Sequence, residues 1–289
     1  NSSLSTCSEP FVCNYISQGY DLTCYGNAEG CSSILQVVRS CNPNAVCPPG
    51  NIDLLSQEDV NFFGLYFPDC SDLPGSLYLE SSFNSITSLA PISGLRTIGG
   101  GLEFSFHPAL TSLQGLDSLR HIDSDLRIYQ CSNLKNLVGL GALQSAHGGI
   151  YIEDNDSLET LQGIGNISPD SISFLELDQN PRLAVCSVES ICNYIDRAKP
   201  THIEGNAQGC NSGLQITKEC NPGLDCPAGG ISLATQAEVD EFYEVYPLCT
   251  AIGGNLRITG GNESSPIENL QGLRRIKSVQ GELNIDYNN

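Results

Sequence analysis

Six of the chain's cysteines repeat six others at a constant offset. Cys186, Cys192, Cys210, Cys220, Cys226 and Cys249 each lie 179 residues after Cys7, Cys13, Cys31, Cys41, Cys47 and Cys70. The text between them repeats as well. CSEPFVCNYI (7–16) answers CSVESICNYI (186–195), and YGNAEGC (25–31) answers EGNAQGC (204–210). A tandem duplication with a period near 180 residues therefore constrains the fold before any local propensity does, because both copies must build the same unit. Of the 14 cysteines, only Cys24 and Cys131 stand outside the duplication.

A shorter period runs inside the long one. Leu77, Leu102, Leu126, Ile150 and Leu175 are spaced 24 or 25 residues apart, and each is followed two positions later by Leu79, Phe104, Ile128, Ile152 or Leu177. Apolar residues at i and i+2 mark a short strand with one buried face. Leu110, Leu134, Leu158 and Leu183 form a further row in step with these. The pattern predicts successive coils, each laying one strand beside the last, because a single coil cannot bury its own apolar side. Three residues after the second strand position stand His107, Cys131, Asn155 and Asn180. An inward Asn there is expected to bond the backbone of adjacent coils. Cys131 reads as a small buried substitute for it.

Composition removes several function classes. The chain carries 33 acidic residues against 13 basic ones, a net charge of −20, which repels phosphate backbones and excludes nucleic acid as a partner. With 40 % apolar and only 16 % charged residues it is not a disordered chain. No apolar run is long enough to span a bilayer. The 289 residues make about 1.6 periods, and Asn1 aligns with Asn180, so the sequence reads as a window on a longer tandem array.

The cysteines and helix signals suggest how coil stacks are covered. Thr235 and Glu238 form a capping-box pattern ahead of Val239, Phe242 and Tyr246, and Ser56 opens its partner in the first copy. Cys47–Cys70 and Cys226–Cys249 are the expected bridges beside these helices. Val188, Ile191, Cys192 and Ile195 mark another short helix. The remaining four cysteines of each copy admit three pairings, of which Cys186–Cys210 and Cys192–Cys220, with Cys7–Cys31 and Cys13–Cys41 by repetition, are favoured. Zinc is disfavoured because the spacings lack a close C-x-x-C knuckle. Disulfides at this density imply an oxidising, extracellular or cell-surface location. Cys24 and Cys131 are left as unpaired or cross-linking candidates.

Chemistry is thinly marked. The histidines are His107, His121, His147 and His202, none in a metal or protease motif. Gly99, Gly100 and Gly101 read as a coil corner rather than a phosphate cradle. Acidic clusters at Asp123–Asp125 and Glu153–Asp156 could hold calcium weakly, but read better as solvated edges. No catalytic residue, cofactor or metal is expected, and the chain is read as not an enzyme. The outward strand positions include Tyr78, Arg127, Tyr129 and Tyr151, a possible binding face. N-x-S/T sequons stand at Asn1, Asn155, Asn166 and Asn262.

The segments 226–260 and 47–81, with LQGLDSLRHIDSDLRI (113–128), resemble receptor L-domain modules. These form the outer lobes of growth-factor and insulin receptors and occur in fungal cell-wall proteins and large secreted proteins of Bacteroidota. The Cys-rich CNYI and GNAxGC segment is most similar to the last group. The resemblance implies a mainly β fold, a right-handed β-helix or leucine-rich solenoid with short disulfide-braced α-helical caps, tandemly repeated. It divides the chain into a Cys-rich cap of a preceding module (1–46), a complete module (47–185), its own cap (186–225) and the start of a second module (226–289). It also implies O-glycosylation at the Asp-Ser-aliphatic triplets of Ser118, Ser157 and Ser171. The function expected is an extracellular structural or adhesive repeat protein, a segment of an elongated rod or fibre. Its expected partners are further copies of itself, joined end to end or as tandem neighbours, or a surface glycan or protein. The alternatives are a ligand-binding ectodomain using the exposed strand face, and a non-catalytic spacer of a secreted enzyme.

Overall fold

The computed structural model describes residues 4–18, 24, 27–80, 86–260 and 267–286. Among these residues the largest element is a seven-stranded parallel sheet. Its strands follow in chain order: Ile52–Leu54, Leu77–Glu80, Leu102–Ser105, Leu126–Tyr129, Gly149–Glu153, Phe174–Asp178 and Thr201–Glu204. Two-residue strands at Asp72–Leu73, Thr97–Ile98, His121–Ile122 and Ser145–Ala146 make a second sheet in the same order. The second copy begins both again, with Ile231–Leu233, Leu256–Thr259 and Leu283–Asp286 in one sheet and Ala251–Ile252 and Ser278–Val279 in another.

Six α-helices accompany the sheets among the described residues: α1 (Pro10–Ser17), α2 (Ile34–Cys41), α3 (Gln57–Tyr66), α4 (Glu189–Ile195), α5 (Gly213–Cys220) and α6 (Gln236–Val245). The chain is therefore mixed α/β, and the expected mainly β right-handed β-helix is corrected: the sheets do not close into a solenoid. The reason lies in the segments between strands. Leu113, Leu116 and Leu119 are buried, but their backbones bond locally, Leu116 N–H to Leu113 carbonyl at 3.2 Å and Leu119 N–H to Leu116 carbonyl at 2.9 Å, not across to a neighbouring strand. The Cys-rich segments carry two helices each, α1 with α2 and α4 with α5, where a single short helix is expected.

The strand register explains the apolar periodicity. Leu77, Leu102, Leu126, Ile150 and Leu175 are mutual neighbours, as are Leu79, Phe104, Ile128, Ile152 and Leu177, and all are fully buried. Four successive turns out of the sheet pass through a left-handed residue: Phe106, Gln130, Asp154 and Gln179, with φ of 62°, 51°, 55° and 53°. That conformation costs roughly 1–2 kcal/mol per non-glycine residue. A buried amide ladder behind the corner offsets it. Asn155 accepts from Cys131 N–H at 2.9 Å and donates to the carbonyls of Ile128 (3.0 Å) and Glu153 (2.8 Å). Asn180 repeats the pattern toward Asn155 N–H, Ile152 and Asp178. Asn206 adds a further rung, accepting from Asn180 N–H and donating to Leu177.

The helix ends are chemically specified. Thr235 and Glu238 form a reciprocal capping box, and Ser56 accepts from Asp59 N–H. Ser33 and Ser212 cap α2 and α5 by accepting from Gln36 and Gln215 N–H. Gly99 is needed at its corner, where an added Cβ would meet the Pro74 carbonyl oxygen at 2.6 Å. Two apolar clusters fill the interior and divide within α5, Ile216 belonging to the first and Leu214 to the second.

Candidate functional site

Alternation along a strand sends every second residue outward, and the parallel register stacks those residues into rows. One outward row reads Tyr78, Glu103, Arg127, Tyr151, Glu176 and His202. The next reads Glu80, Ser105, Tyr129, Glu153, Asp178 and Glu204. Each row changes character along the sheet, from aromatic and mixed at its centre to acidic at the Thr201–Glu204 edge.

At the centre, Arg127 lies over the Tyr151 ring, 3.8 Å from its centroid, and donates to Asp125 at 2.9 Å. Tyr129 packs edge-on against Phe106 at 5.2 Å, and its hydroxyl accepts from Gln130 Nε2 at 2.8 Å. Three of the four residues expected on a binding face, Arg127, Tyr129 and Tyr151, thus meet in one patch. Tyr78 is two strands away, with Glu103 between it and Arg127. Phe106, 43 % exposed, joins the patch without having been foreseen, because only its left-handed corner turns it outward.

The acidic end is different. Glu153, Asp178 and Glu204 are in register on three adjacent strands. Burial, then Glu176, raises the Glu153 carboxyl above its usual range; Arg127 opposes this, while Asp178 and Asp154 add to it. Asp178, His202 and Glu204 each offer a donor atom, all within 4.8 Å of one another. His202 Nε2 is 3.6 Å from Glu204 Oε1. Asp178 Oδ1 is buried without a hydrogen-bond partner. This edge opens into a cleft of about 500 Å³ shared with the second copy, lined also by Ser232, Thr235, Arg257 and Thr259. The sequence carried one signal for it. His202 and Glu204, two apart, share a face if they form a strand, but the segment was read as part of a cap.

The other candidate residues are placed as follows. Asn155 is fully buried and its amide is spent on two carbonyls, so it is corrected from glycan acceptor to structural rung. Asn166 is exposed, its Nδ2 donating to the Gly141 carbonyl at 2.7 Å. Ser118 and Ser157 are half-buried, and the Ser171 hydroxyl donates to the Ser168 carbonyl at 2.8 Å. Asn1 and Asn262 lie outside the described residues. Disulfides join Cys7–Cys31, Cys13–Cys41 and Cys47–Cys70, and again Cys186–Cys210, Cys192–Cys220 and Cys226–Cys249. Cys24 and Cys131 are free thiols. Cys131 is corrected as a cross-linking candidate: it is wholly buried, and burial pushes its thiol up to about 12. At Asp123–Asp125 the Asp125 carboxylate accepts from Gly149 N–H and from Arg127.

His107 occupies the amide-ladder position one coil before Cys131, facing the Leu79 carbonyl; burial holds its imidazole below the ordinary histidine range. His121 Nδ1 lies 3.0 Å from Ser145 Oγ, a cross-strand contact in register. Among the described residues no helix is long and apolar enough to cross a membrane. Six disulfides mark a secreted or extracellular protein. No family model matches the chain, and neither the curated proteins nor the solved structures contain a match.

Proposed function

We propose that the chain is a non-catalytic, extracellular repeat protein that serves as a structural or adhesive segment of an elongated surface assembly. The observation that supports this reading is the copied joint. In each copy a serine-capped helix from the Cys-rich segment (α2 or α5) packs against the helix that opens the next module (α3 or α6). The same glutamine braces the entry to both Cys-rich helices: Gln36 Oε1 accepts from Gly30 and Ser32 N–H, and Gln215 Oε1 accepts from Gly209 and Asn211 N–H. The disulfides close with the same separations, 24, 28 and 23 residues. A joint rebuilt with the same disulfides, serine caps and helix pair sets each module on the next in a similar way, and repeating one such step generates an extended array. Small-angle scattering and sedimentation of the oxidised chain over a wide concentration range test this. Extended particles that associate as concentration rises are expected; a compact monomer throughout would overturn it.

A second reading is favoured by the central patch, where ordered aromatic rings and a stacked guanidinium lie partly exposed on a rigid sheet. Such groups anchor contacts at low entropic cost. On this reading the face binds a surface glycan or protein. A saturable partner lost in both Arg127→Ala and Tyr129→Ala would support it, and a partner retained in both variants would refute it.

A further inference from the structure

We infer that Asp178, His202 and Glu204 form a binding site for a divalent first-row metal ion, zinc being the best fit, at the edge of the seven-stranded sheet. This goes beyond the scaffold reading and does not rest on it. The donor set comes first: one imidazole and two carboxylates, each presenting an atom within 4.8 Å of the others. Three such ligands plus an open position are a common zinc arrangement, whereas calcium and magnesium take oxygen ligands and have little use for an imidazole. The 3.6 Å between His202 Nε2 and Glu204 Oε1 is close to the roughly 3.4 Å edge of a tetrahedron with zinc-length bonds.

Placement is the second argument. His202 and Glu204 sit on one strand face at i and i+2, and Asp178 is the register partner of Glu204. All three are held by a hydrogen-bonded sheet. Charge is the third. Glu153, Asp178 and Glu204 stack at one register position, and like charges opposite one another destabilise a sheet. Arg127 offsets the charge at the Glu153 end of that row. At the other end Asp178 Oδ1 is buried with no protein partner, and such an oxygen is costly unless a cation or donor faces it. A metal between Asp178 and Glu204 removes both penalties.

The duplication supplies the fourth argument. The paired cysteines, the capping serines and the glutamines Gln36 and Gln215 recur at the offset of 179, but His202 and Glu204 answer to Thr23 and Tyr25. The donors are therefore not demanded by the repeat. His202 and Glu204 line the cleft shared with Arg257, Ser232 and Thr235, which gives an ion a route in. Glu238, also at the cleft, is not available as a ligand, since its carboxylate accepts from Gly213, Ala234 and Thr235 N–H.

Calorimetric titration of the full oxidised chain, stripped with EDTA and then given zinc chloride, tests the site. One equivalent is expected to bind, with affinity lowered at least about tenfold in His202→Ala and in Asp178→Asn, and unchanged in His147→Ala, an exposed histidine outside the cluster. Near-ultraviolet circular dichroism of each variant checks that the fold is kept. Excess calcium is expected not to displace the zinc. No heat above dilution, binding unaffected by His202→Ala in a folded variant, or displacement by calcium would each overturn the proposal.

Discussion

Replacing Asn155 with alanine removes one rung of the buried amide ladder, and the structure fixes what the loss should cost. Cys131 N–H loses its acceptor. A buried donor left unpaired costs about 1–3 kcal/mol. The carbonyls of Ile128 and Glu153 each lose one donor, but the Glu153 carbonyl keeps a second bond from Gln130 N–H at 3.1 Å, so the lost bonds add about 1 kcal/mol each. The sum is about 3–5 kcal/mol, at the upper end of single-residue effects. Urea unfolding of the oxidised chain reads this as a fall in midpoint. Ser157→Ala is the informative control. It destroys the same N-x-S sequon without touching the ladder, so it should leave stability within about 0.5 kcal/mol of the parent chain. Asn155→Cys, which copies the occupant of the adjacent rung, should cost less than alanine. A loss below about 1 kcal/mol for Asn155→Ala, or equal losses for Asn155→Ala and Ser157→Ala, would refute the structural role assigned to the ladder.

Iodoacetamide should leave Cys131 unmodified in the native chain and label it only on unfolding, while Cys24, half-buried with its thiol raised by burial, should label slowly without denaturant; peptide mapping by mass distinguishes the two. Because burial lowers the folded-state pKa of His107, the unfolded chain takes up its proton first as pH falls. Stability should therefore drop as the pH passes down through the ordinary histidine range, and His107→Asn should flatten that part of the urea-midpoint profile. Glu238→Ala strands the N–H groups of Gly213, Ala234 and Thr235 and should cost about 2–4 kcal/mol, seen as faster proteolysis between α5 and α6. Replacing Cys186 and Cys210 together by serine opens a bridge of 24-residue separation and should cost about 3.5 kcal/mol on the loop-entropy estimate, measured by thermal unfolding.

The strands were legible because their signal is doubly redundant. Leu126 and Ile128 alternate within a strand, and both recur one coil away at Ile150 and Ile152, so local and long-range patterns agree. Helices α3 and α6 were legible from their caps. Helices α2 and α5 were missed, although Ser33 with Gln36 and Ser212 with Gln215 spell the S-x-x-Q form of a capping box. Each helix is eight residues long and ends on a cysteine of a disulfide, Cys41 or Cys220, so the cysteine pattern masks its cap signal. The fold class was misjudged for the same reason. Periodicity marks the strands and α4 but gives no sign of α2 and α5 in the Cys-rich segments. The acidic site was illegible at a further remove. Glu204 meets Asp178 only because Thr201–Glu204 joins the sheet, and that pairing depends on where the chain re-enters after α4.

The duplication separates what the fold requires from what the surface is free to vary. Ile52, Leu54, Leu77 and Leu79 face inward, and their counterparts Ile231, Leu233, Leu256 and Ile258 are apolar and buried too. The outward residues of the same strands do not match: Asp53 and Tyr78 answer to Ser232 and Arg257. The cation-over-ring contacts show a middle case, with Arg39 over Phe67 at 4.3 Å and Lys218 over Tyr246 at 5.0 Å, where both partners change but the interaction stays. Packing thus fixes side-chain type inside the sheet, and pair chemistry is preserved where a helix must dock. On the outer strand face neither pressure acts. On the proposed reading, outward residues such as Arg127, Tyr129 and His202 are free to differ from copy to copy, while the inward residues are not.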